Sequence, residues 1–172
     1  MIYFVTEDYL KDESPIAGNV DIKTVSPWIK PAVETRIKPM LGNYFFNDLL
    51  TKYNAQSLST DETELVLMMK PCIAWRVAAL AVYGVSRPLK NIGLQILDSE
   101  NSRGVNLEEV TYGVEQYDRL AADYQRNLRD WLVENAYKFS KFTDPKNSDS
   151  SLYGKVNITS SDDDYTDTIM VI

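Results

Sequence analysis

Few residues of this chain have the types and spacing that catalysis or metal binding requires. The chain has no histidine, which removes the commonest general base and the commonest metal ligand. Its single cysteine, Cys72, follows Pro71 in the most apolar stretch of the sequence. A reactive thiol needs exposure and a positive neighbour, so a small buried side chain is favoured there. One cysteine also excludes an internal disulfide and a thiolate metal site.

Clustered carboxylates are the remaining candidates for acid–base or metal chemistry. Glu108–Glu109 and the acidic residues within Asp61–Glu64 could act as paired acids in hydrolysis. Both groups fall at predicted helix starts, where capping and the helix dipole account for acidic side chains. The run Asp162–Asp164 lacks the ligand spacing and the later glutamate of a calcium loop, which favours a solvated acidic run. We therefore predict no catalytic, cofactor or metal site, and a carboxylate hydrolase stays as an alternative.

Composition predicts one globular domain with a tail. The chain has 172 residues, 44% of them hydrophobic, and its 18 basic and 25 acidic residues give a net charge of −7. An acidic surface argues against tight binding of nucleic-acid phosphate backbones, although DNA could pass along it without being bound. The eleven tyrosines and three tryptophans fall on apolar helical stripes, so core or subunit-interface positions are favoured over stacking on nucleic acid.

No export or membrane segment is predicted. The first ten residues lack a basic leader before an apolar run. The stretch Leu65–Val85 is long and apolar, but it contains Lys70, Pro71 and Arg76. Each charge at the centre of a membrane helix costs about 2.5–3.5 kcal/mol, so this stretch is predicted to be a buried helix of a soluble domain.

An amphipathic pattern in residues 22–50 predicts a bent helix followed by a short one. The first helix is expected to start near Asp21 or Ser26, and its three prolines, 27, 31 and 39, are expected to fix a bend and an end. Gly42 is predicted to stop it in a left-handed conformation. Asn43 is then expected to cap a second helix, Tyr44–Tyr53.

Two longer helices follow. Ser59 and Glu62 form a capping box before Leu65–Val85, which is apolar nearly all round and is expected at the centre of a bundle, ending at Gly84 and Pro88. Residues 89–106 change to a two-residue period, which predicts a small β-hairpin or an extended loop.

The last helix carries an apolar seam at alternating spacings of three and four, as in a heptad pattern. The seam comprises Leu107, Val110, Val114, Tyr117, Ala121, Tyr124, Leu128 and Trp131. Part of it is predicted to face a neighbouring subunit, together with one aromatic residue of the first helix. The predicted subunit-interface residues are Val114, Tyr117, Tyr124, Trp131 and Trp28.

The predicted organisation is an N-terminal arm (1–20), an all-α bundle of about four helices (21–142) and a long acidic extended C-terminal tail (143–172). The tail is rich in Ser, Asp, Asn and Thr, a composition that buries too little apolar surface to order itself. Its apolar tip is typical of a segment that adds to another chain. The predicted partner-binding residues of the tail are Tyr165, Ile169, Met170, Val171 and Ile172.

Residues 20–138 resemble a known family. The segment SPWIKPAVETRIKPMLGNYFFNDLL precedes a predicted apolar helix that contains Trp75 and Tyr83. The loop KNIGLQILDSENSRGVNLEEV comes next, followed by a predicted helix that ends in DWL. This order is similar to that of the head–tail connector (adaptor) proteins of tailed bacteriophages, in particular those of phages infecting Bacteroidetes, including the crAss-like group.

The resemblance implies a structural, non-enzymatic virion protein without cofactors. It implies a homo-oligomeric ring of twelve subunits under the portal protein, extending the channel for genomic DNA without binding it specifically. The ring would offer a platform for the next tail protein, at the head–tail junction of the virion, after assembly in the host cytoplasm and without a membrane. A non-viral helical adaptor or regulatory protein, acting as a monomer or dimer, is the alternative.

Overall fold

The computed structural model describes residues 3–16, 18–86, 89–90, 93–94 and 107–159, and they are predominantly helical, in agreement with the all-α prediction. The α-helices are α1 Glu7–Asp12, α2 Ile22–Ala32, α3 Lys38–Leu41, α4 Asn43–Asn54, α5 Thr60–Ser86, α6 Leu107–Glu134, α7 Ser140–Thr143 and α8 Tyr153–Thr159. A π-helical turn, Val33–Ile37, joins α2 to α3, and 3-10 turns lie at Ala136–Lys138 and Pro145–Asn147.

Helix α5 is the central helix, as its all-round apolar composition predicts. Leu65, Met69 and Val77 along it are fully buried. Its start is fixed by the predicted capping box: the Ser59 N–H donates to Glu62 Oε2 at 2.9 Å, and the Glu62 N–H donates to Ser59 Oγ at 3.2 Å. Helix α6 runs antiparallel to α5. It contacts α5 more extensively than any other described helix does.

The proline-rich segment stays helical through all three of its prolines. Asp21 caps α2 by accepting from the Lys23 N–H at 2.9 Å. The helical path passes Pro31 and widens into the π turn, in which the Lys38 N–H bonds to the Val33 carbonyl five residues back. Pro39 lies in the first turn of α3, where a missing N–H is tolerated. The helix therefore passes Pro39 and ends at Leu41, immediately before the predicted stop at Gly42.

Gly42 breaks the chain between α3 and α4. Its φ of 79° is positive, as predicted, but its ψ of 153° places it in an extended region that is essentially reserved for glycine, not in the left-handed helical region. Asn43 is the first residue of α4, so the prediction that its side chain caps this helix is wrong. The caps come instead from residues about one hundred positions away.

Residues Asn147–Ser151 bind the α3–α4 junction, and we call this arrangement the C-terminal clasp. On the α3 side, the Pro39 carbonyl accepts from Ser151 N–H at 2.9 Å, the Met40 carbonyl from Ser150 Oγ at 2.5 Å, and the Leu41 carbonyl from Asn147 Nδ2 at 2.7 Å.

On the α4 side, the clasp accepts hydrogen bonds from the helix N-terminus. Asp149 Oδ2 accepts from the Asn43 backbone N–H at 2.9 Å and from the Asn43 side chain, and Asn147 Oδ1 accepts from the Phe45 N–H at 3.1 Å. The unpaired backbone groups at both helix ends thus find partners in one segment.

The prediction of an extended C-terminal tail is wrong for residues 143–159. Residues 143–159 do not form an extended leash: a 3-10 turn and α8 pack on the bundle, and Leu152 and Val156 are buried in the same core cluster as Phe142. Composition misleads here because the polar side chains of Asn147 and Ser150 pair with helix-end backbone, so they can be buried. Residues 160–172, including the predicted partner-binding tip, lie outside the described residues.

The N-terminal arm packs on its own chain. Phe4 is fully buried, and its ring lies 5.2 Å from Tyr53 and 5.8 Å from Phe46. Helix α1 follows directly, with Leu10 buried.

Short paired segments occur in the predicted hairpin region. Strand β1, Leu89–Lys90, pairs antiparallel with β2, Gly93–Leu94. Residues 91–92 and 95–106, which carry most of the predicted hairpin, lie outside the described part of the chain, and the hairpin stays a prediction.

We expect Gly42→Ala to lower the free energy of unfolding by about 2–4 kcal/mol, since the new side chain would be strained at positive φ. Its Cβ would also lie 2.3 Å from Asn147 Oδ1. The matched control is Gly113→Ala in α6, where nothing lies within 4 Å of the new Cβ and a gain of about 0.5–1 kcal/mol is expected. Chemical denaturation measures both; an unchanged midpoint for Gly42→Ala would contradict the junction geometry.

We expect Asn147→Ala to cost about 3–5 kcal/mol, because it leaves the buried carbonyls of Leu41 and Phe142 and the Phe45 N–H without their partner. Asn54→Ala is the control: it removes one bond, to the Leu50 carbonyl within the same helix, and about 1 kcal/mol or less is expected. Equal losses in urea denaturation would show that the clasp contributes no more than a local bond.

Candidate functional site

Helix α6 presents two apolar faces, and the inner one is used within the chain. Ala121, Leu128 and Leu132 are buried. The Tyr117 ring lies 5.7 Å from Trp75 of α5. The heptad seam of the sequence is therefore largely the surface that α5 covers, because a stripe at this spacing suits an intramolecular neighbour as well as a separate subunit.

The predicted subunit-interface residues divide between the two faces. Trp131 packs on the core with its ring 6.2 Å from Phe139, and Tyr117 packs on the core as described. Trp28 is also partly buried. Val114 is half-buried, whereas Tyr124 has 39% of its surface exposed. A subunit contact through these residues stays a prediction.

Gly84 explains the position of Trp28. The sequence predicts a helix end at Gly84, but α5 continues through it to Ser86. A Cβ at Gly84 would lie 1.9 Å from Trp28 Cζ2, so the glycine allows the indole to lie against the helix backbone. The helix thus ends between Gly84 and Pro88, the two residues predicted to end it, and close packing against Trp28 is a further reason for the glycine.

The outer face of α6 carries three large exposed side chains that we call the outer stripe: Tyr112 (65% exposed), Leu120 (41%) and Tyr124 (39%). With 3.6 residues per turn, Leu120 lies about 80° and Tyr124 about 120° around the helix axis from Tyr112, so the three side chains spread over an exposed arc of the helix. Tyr112 and Leu120 are absent from the predicted interface because they lie off the heptad seam. A search for residues at multiples of four would have found them.

An ion-pair group fixes the other side of α6. Asp118 pairs with Arg76 of α5 and lies 3.7 Å from Arg36 of the π turn. One carboxylate thus joins three structural elements. Arg76 Nε is buried and has no hydrogen-bond partner. No local pattern predicts this group, since its members are 40 or more residues apart.

A cleft of about 360 Å³ lies between the π turn, α6 and the start of α8. Its lining includes three arginines, Arg36, Arg126 and Arg129, and the apolar side chains of Met40 and Leu152. We call it the arginine cleft. The residues that line it include no Asp or Glu, although the net charge of the chain is −7.

A second polar group joins α4 to α5 and α7. Lys52 Nζ lies 2.5 Å from Glu62 and 3.0 Å from Asp48, and Lys141 Nζ lies 2.5 Å from Asp48. Burial acts to raise the pKa values of Asp48 and Glu62, but hydrogen bonds outweigh it and both pKa values are lowered. Both carboxylates are therefore ionised structural groups at neutral pH, which is the opposite of what a general acid needs.

Cys72 has the surroundings of a packing residue. Its side chain is 1% exposed. Burial raises the pKa of the thiol to about 12, although nearby Arg36 and Arg76 act to lower it. Among the described residues, no group of three or more Asp, Glu, Cys or His side chains is arranged to hold a metal ion.

The described residues include one helix long and apolar enough to cross a membrane by length and composition, Thr60–Val82. Of its most apolar window, 56% is buried inside the protein. This stretch is α5, the helix around which the bundle packs.

These features define a class of protein: an all-α domain in which a proline-bent helix, a central apolar helix and a long outer helix are closed by a C-terminal clasp. The chain belongs to DUF6712, a family of unknown function, whose model matches residues 37–151. No curated protein and no solved structure matches the chain significantly. The matched range contains both halves of the clasp.

We expect the Cys72 thiol of the folded chain to react with a disulfide reagent at pH 8 at least about 100-fold more slowly than in denaturant, because burial keeps it protonated. The free energy of unfolding should also fall as the pH rises from 9 to about 12. Over that range the unfolded thiol loses its proton while the folded one retains it, a loss of at most about 1.4 kcal/mol per pH unit.

Cys72→Ala is the control for the pH profile, since tyrosine and lysine residues titrate in the same range. The variant should lose some stability overall but show a flatter decline above pH 9. Identical slopes for the two proteins, or rapid labelling of the folded chain, would contradict the buried neutral thiol.

Proposed function

We propose that this chain is a structural subunit that assembles side by side with copies of itself into a ring at the head–tail junction of a tailed bacteriophage. In this role it docks on the portal protein, extends the channel for genomic DNA and supports the next tail protein. It acts without a cofactor or catalytic step, as part of the virion, after assembly in the host cytoplasm.

The outer stripe is the observation that carries the proposal. Its three large side chains are exposed although the same helix already covers α5 with its other face. Helix α6 has 28 residues and is therefore about 42 Å long at 1.5 Å per residue. Large exposed side chains on the solvent side of a long helix are suited to a contact with a neighbouring copy.

Charge and sequence resemblance support the same role. The net charge of −7 is suited to a channel that lets DNA pass without holding it. The order of motifs in residues 20–138 is similar to that of phage connectors, which form rings of twelve. The family match carries no function, so this resemblance and the outer stripe are the basis of the proposal.

The finer parts of the proposal concern residues beyond the described bundle. The region 89–106 forms a projecting hairpin or loop, and the tip of the tail (Tyr165, Ile169, Met170, Val171 and Ile172) binds the portal or a neighbouring subunit. The apolar composition of this tip after a polar stretch supports a contact of the strand-addition kind.

We expect Leu120→Glu to weaken self-association at least about tenfold, because it places a charge in the apolar contact. It should leave the melting temperature within about 2 °C of the unsubstituted chain, since Leu120 is exposed in the monomer. Leu67→Glu on α5 is the matched control: Leu67 is 57% exposed but lies outside the outer stripe. Sedimentation velocity over a range of concentrations measures association, and electron microscopy identifies rings.

Each outcome bears on the proposal. Loss of association in Leu120→Glu alone supports α6 as the contact. Loss in Leu67→Glu alone moves the contact to α5 and contradicts the assignment to the outer stripe. An unsubstituted chain that stays monomeric at all concentrations, alone and with portal protein, overturns the ring and favours a monomeric adaptor.

A further inference from the structure

We propose that the arginine cleft binds the acidic stretch Asp162–Asp167 of the same chain. The proposal does not depend on ring formation, because the cleft and the segment belong to one molecule. Binding there would anchor the acidic part of the tail and fix the point from which its apolar tip extends.

The cleft combines charge with an apolar floor. Arg36 comes from the π turn, and Arg126 and Arg129 come from successive turns of α6, while Met40 and Leu152 supply apolar surface. A volume of about 360 Å³ accommodates a few side chains rather than a large ligand. Guanidinium groups arranged around a concave surface are suited to carboxylates, which they bind with two parallel hydrogen bonds.

Existing ion pairs leave the arginines with capacity for further partners. Arg126 lies 3.1 Å from Asp123, and Arg129 lies 3.0 Å from Asp130. Both pairs are largely exposed, so each contributes little. A guanidinium has five N–H donors, and one carboxylate occupies at most two of them.

The guanidinium group of Arg36 shares its carboxylate partner with another arginine. Its partner, Asp118, is shared with Arg76, so this single carboxylate serves two guanidinium groups. The four arginines therefore have three carboxylate partners, Asp118, Asp123 and Asp130. This leaves an excess of one positive charge, which one carboxylate of an additional anionic segment would balance.

The C-terminal stretch has the complementary charge. Positions 162–167 read DDDYTD, four carboxylates within six residues, without a basic residue from there to Ile172. The clustering matches three arginines that line one cleft. Acidic runs of this kind are usually solvated and become ordered only against a basic partner.

The segment can reach the cleft within its own chain. Ser151 and Leu152, which line the cleft, immediately precede α8. Helix α8 has seven residues and is about 10 Å long. The five residues from 160 to 164 can span up to about 17 Å when extended, which is enough to return along α8 to the cleft.

Disulfide trapping in the full chain tests the proposal. In a Cys72→Ala background, Ala122→Cys places a thiol at the cleft wall and Ser161→Cys places one beside the acidic stretch. Ser57→Cys with Ser161→Cys is the matched control, because Ser57 is exposed beyond the far end of α4. Under mild oxidation at low protein concentration, we expect the cleft pair to form an intramolecular disulfide about tenfold faster.

Two further variants test the role of charge. Replacing Asp162–Asp164 by Asn, or Arg126 and Arg129 together by Gln, should reduce the rate of the cleft pair to that of the control, and 0.5 M salt should act in the same direction because it screens exposed charges. Circular dichroism checks that each variant is folded.

Three results would overturn the proposal. Equal rates for the cleft and control pairs would show that the segment does not prefer the cleft. A disulfide that forms only between chains would assign the cleft to another copy's segment. Binding of a fluorescent oligonucleotide to the full chain that requires Arg126 and Arg129, without preferential trapping, would make the cleft a nucleic-acid contact.

Discussion

The architecture depends on one buried amide, that of Asn147. It closes the gap between α3 and α4 by donating to the Leu41 carbonyl and accepting from the Phe45 N–H. Only a residue with both a donor and an acceptor can serve both helix ends at once. Gly42 is required for the same reason, since a side chain there would occupy the space of the amide. The break between α3 and α4 and the position of the C-terminal residues thus depend on the same hydrogen bonds of Asn147.

Helix α6 contributes both to the core of the bundle and to its exposed surface. Its inner face packs along α5, Asp118 pairs with Arg36 and Arg76, and its outer face keeps the outer stripe exposed. Arg126 and Arg129 on the same helix line the arginine cleft. The proposed subunit contact and the proposed tail anchor therefore use different residues of one helix, so a substitution in either can be tested separately.

Local patterns were sufficient to predict the main helices, but not the short helices α1, α7 and α8 or the long-range partners. The capping box of Ser59 and Glu62 and the central position of α5 follow from spacing and composition, and both are confirmed. The clasp could not be predicted, because Asn147 and Ser150 look like surface residues until helix-end carbonyls are brought to them. The arginine cleft and the Asp118 group likewise join residues far apart in sequence. The heptad seam was identified correctly as apolar, but spacing cannot distinguish a partner within the chain from another subunit.

The clasp also sets the order of events during synthesis. Asn147 and Leu41 are separated by 106 positions, so the ribosome produces α4, α5 and α6 before the groups that complete the α3–α4 junction exist. Bringing such distant residues together carries an entropic cost that local helix formation does not. A chain truncated before Asn147 would have these helices but an open α3–α4 junction. Closure of the junction is therefore a late step of folding, which follows formation of the helices that it joins.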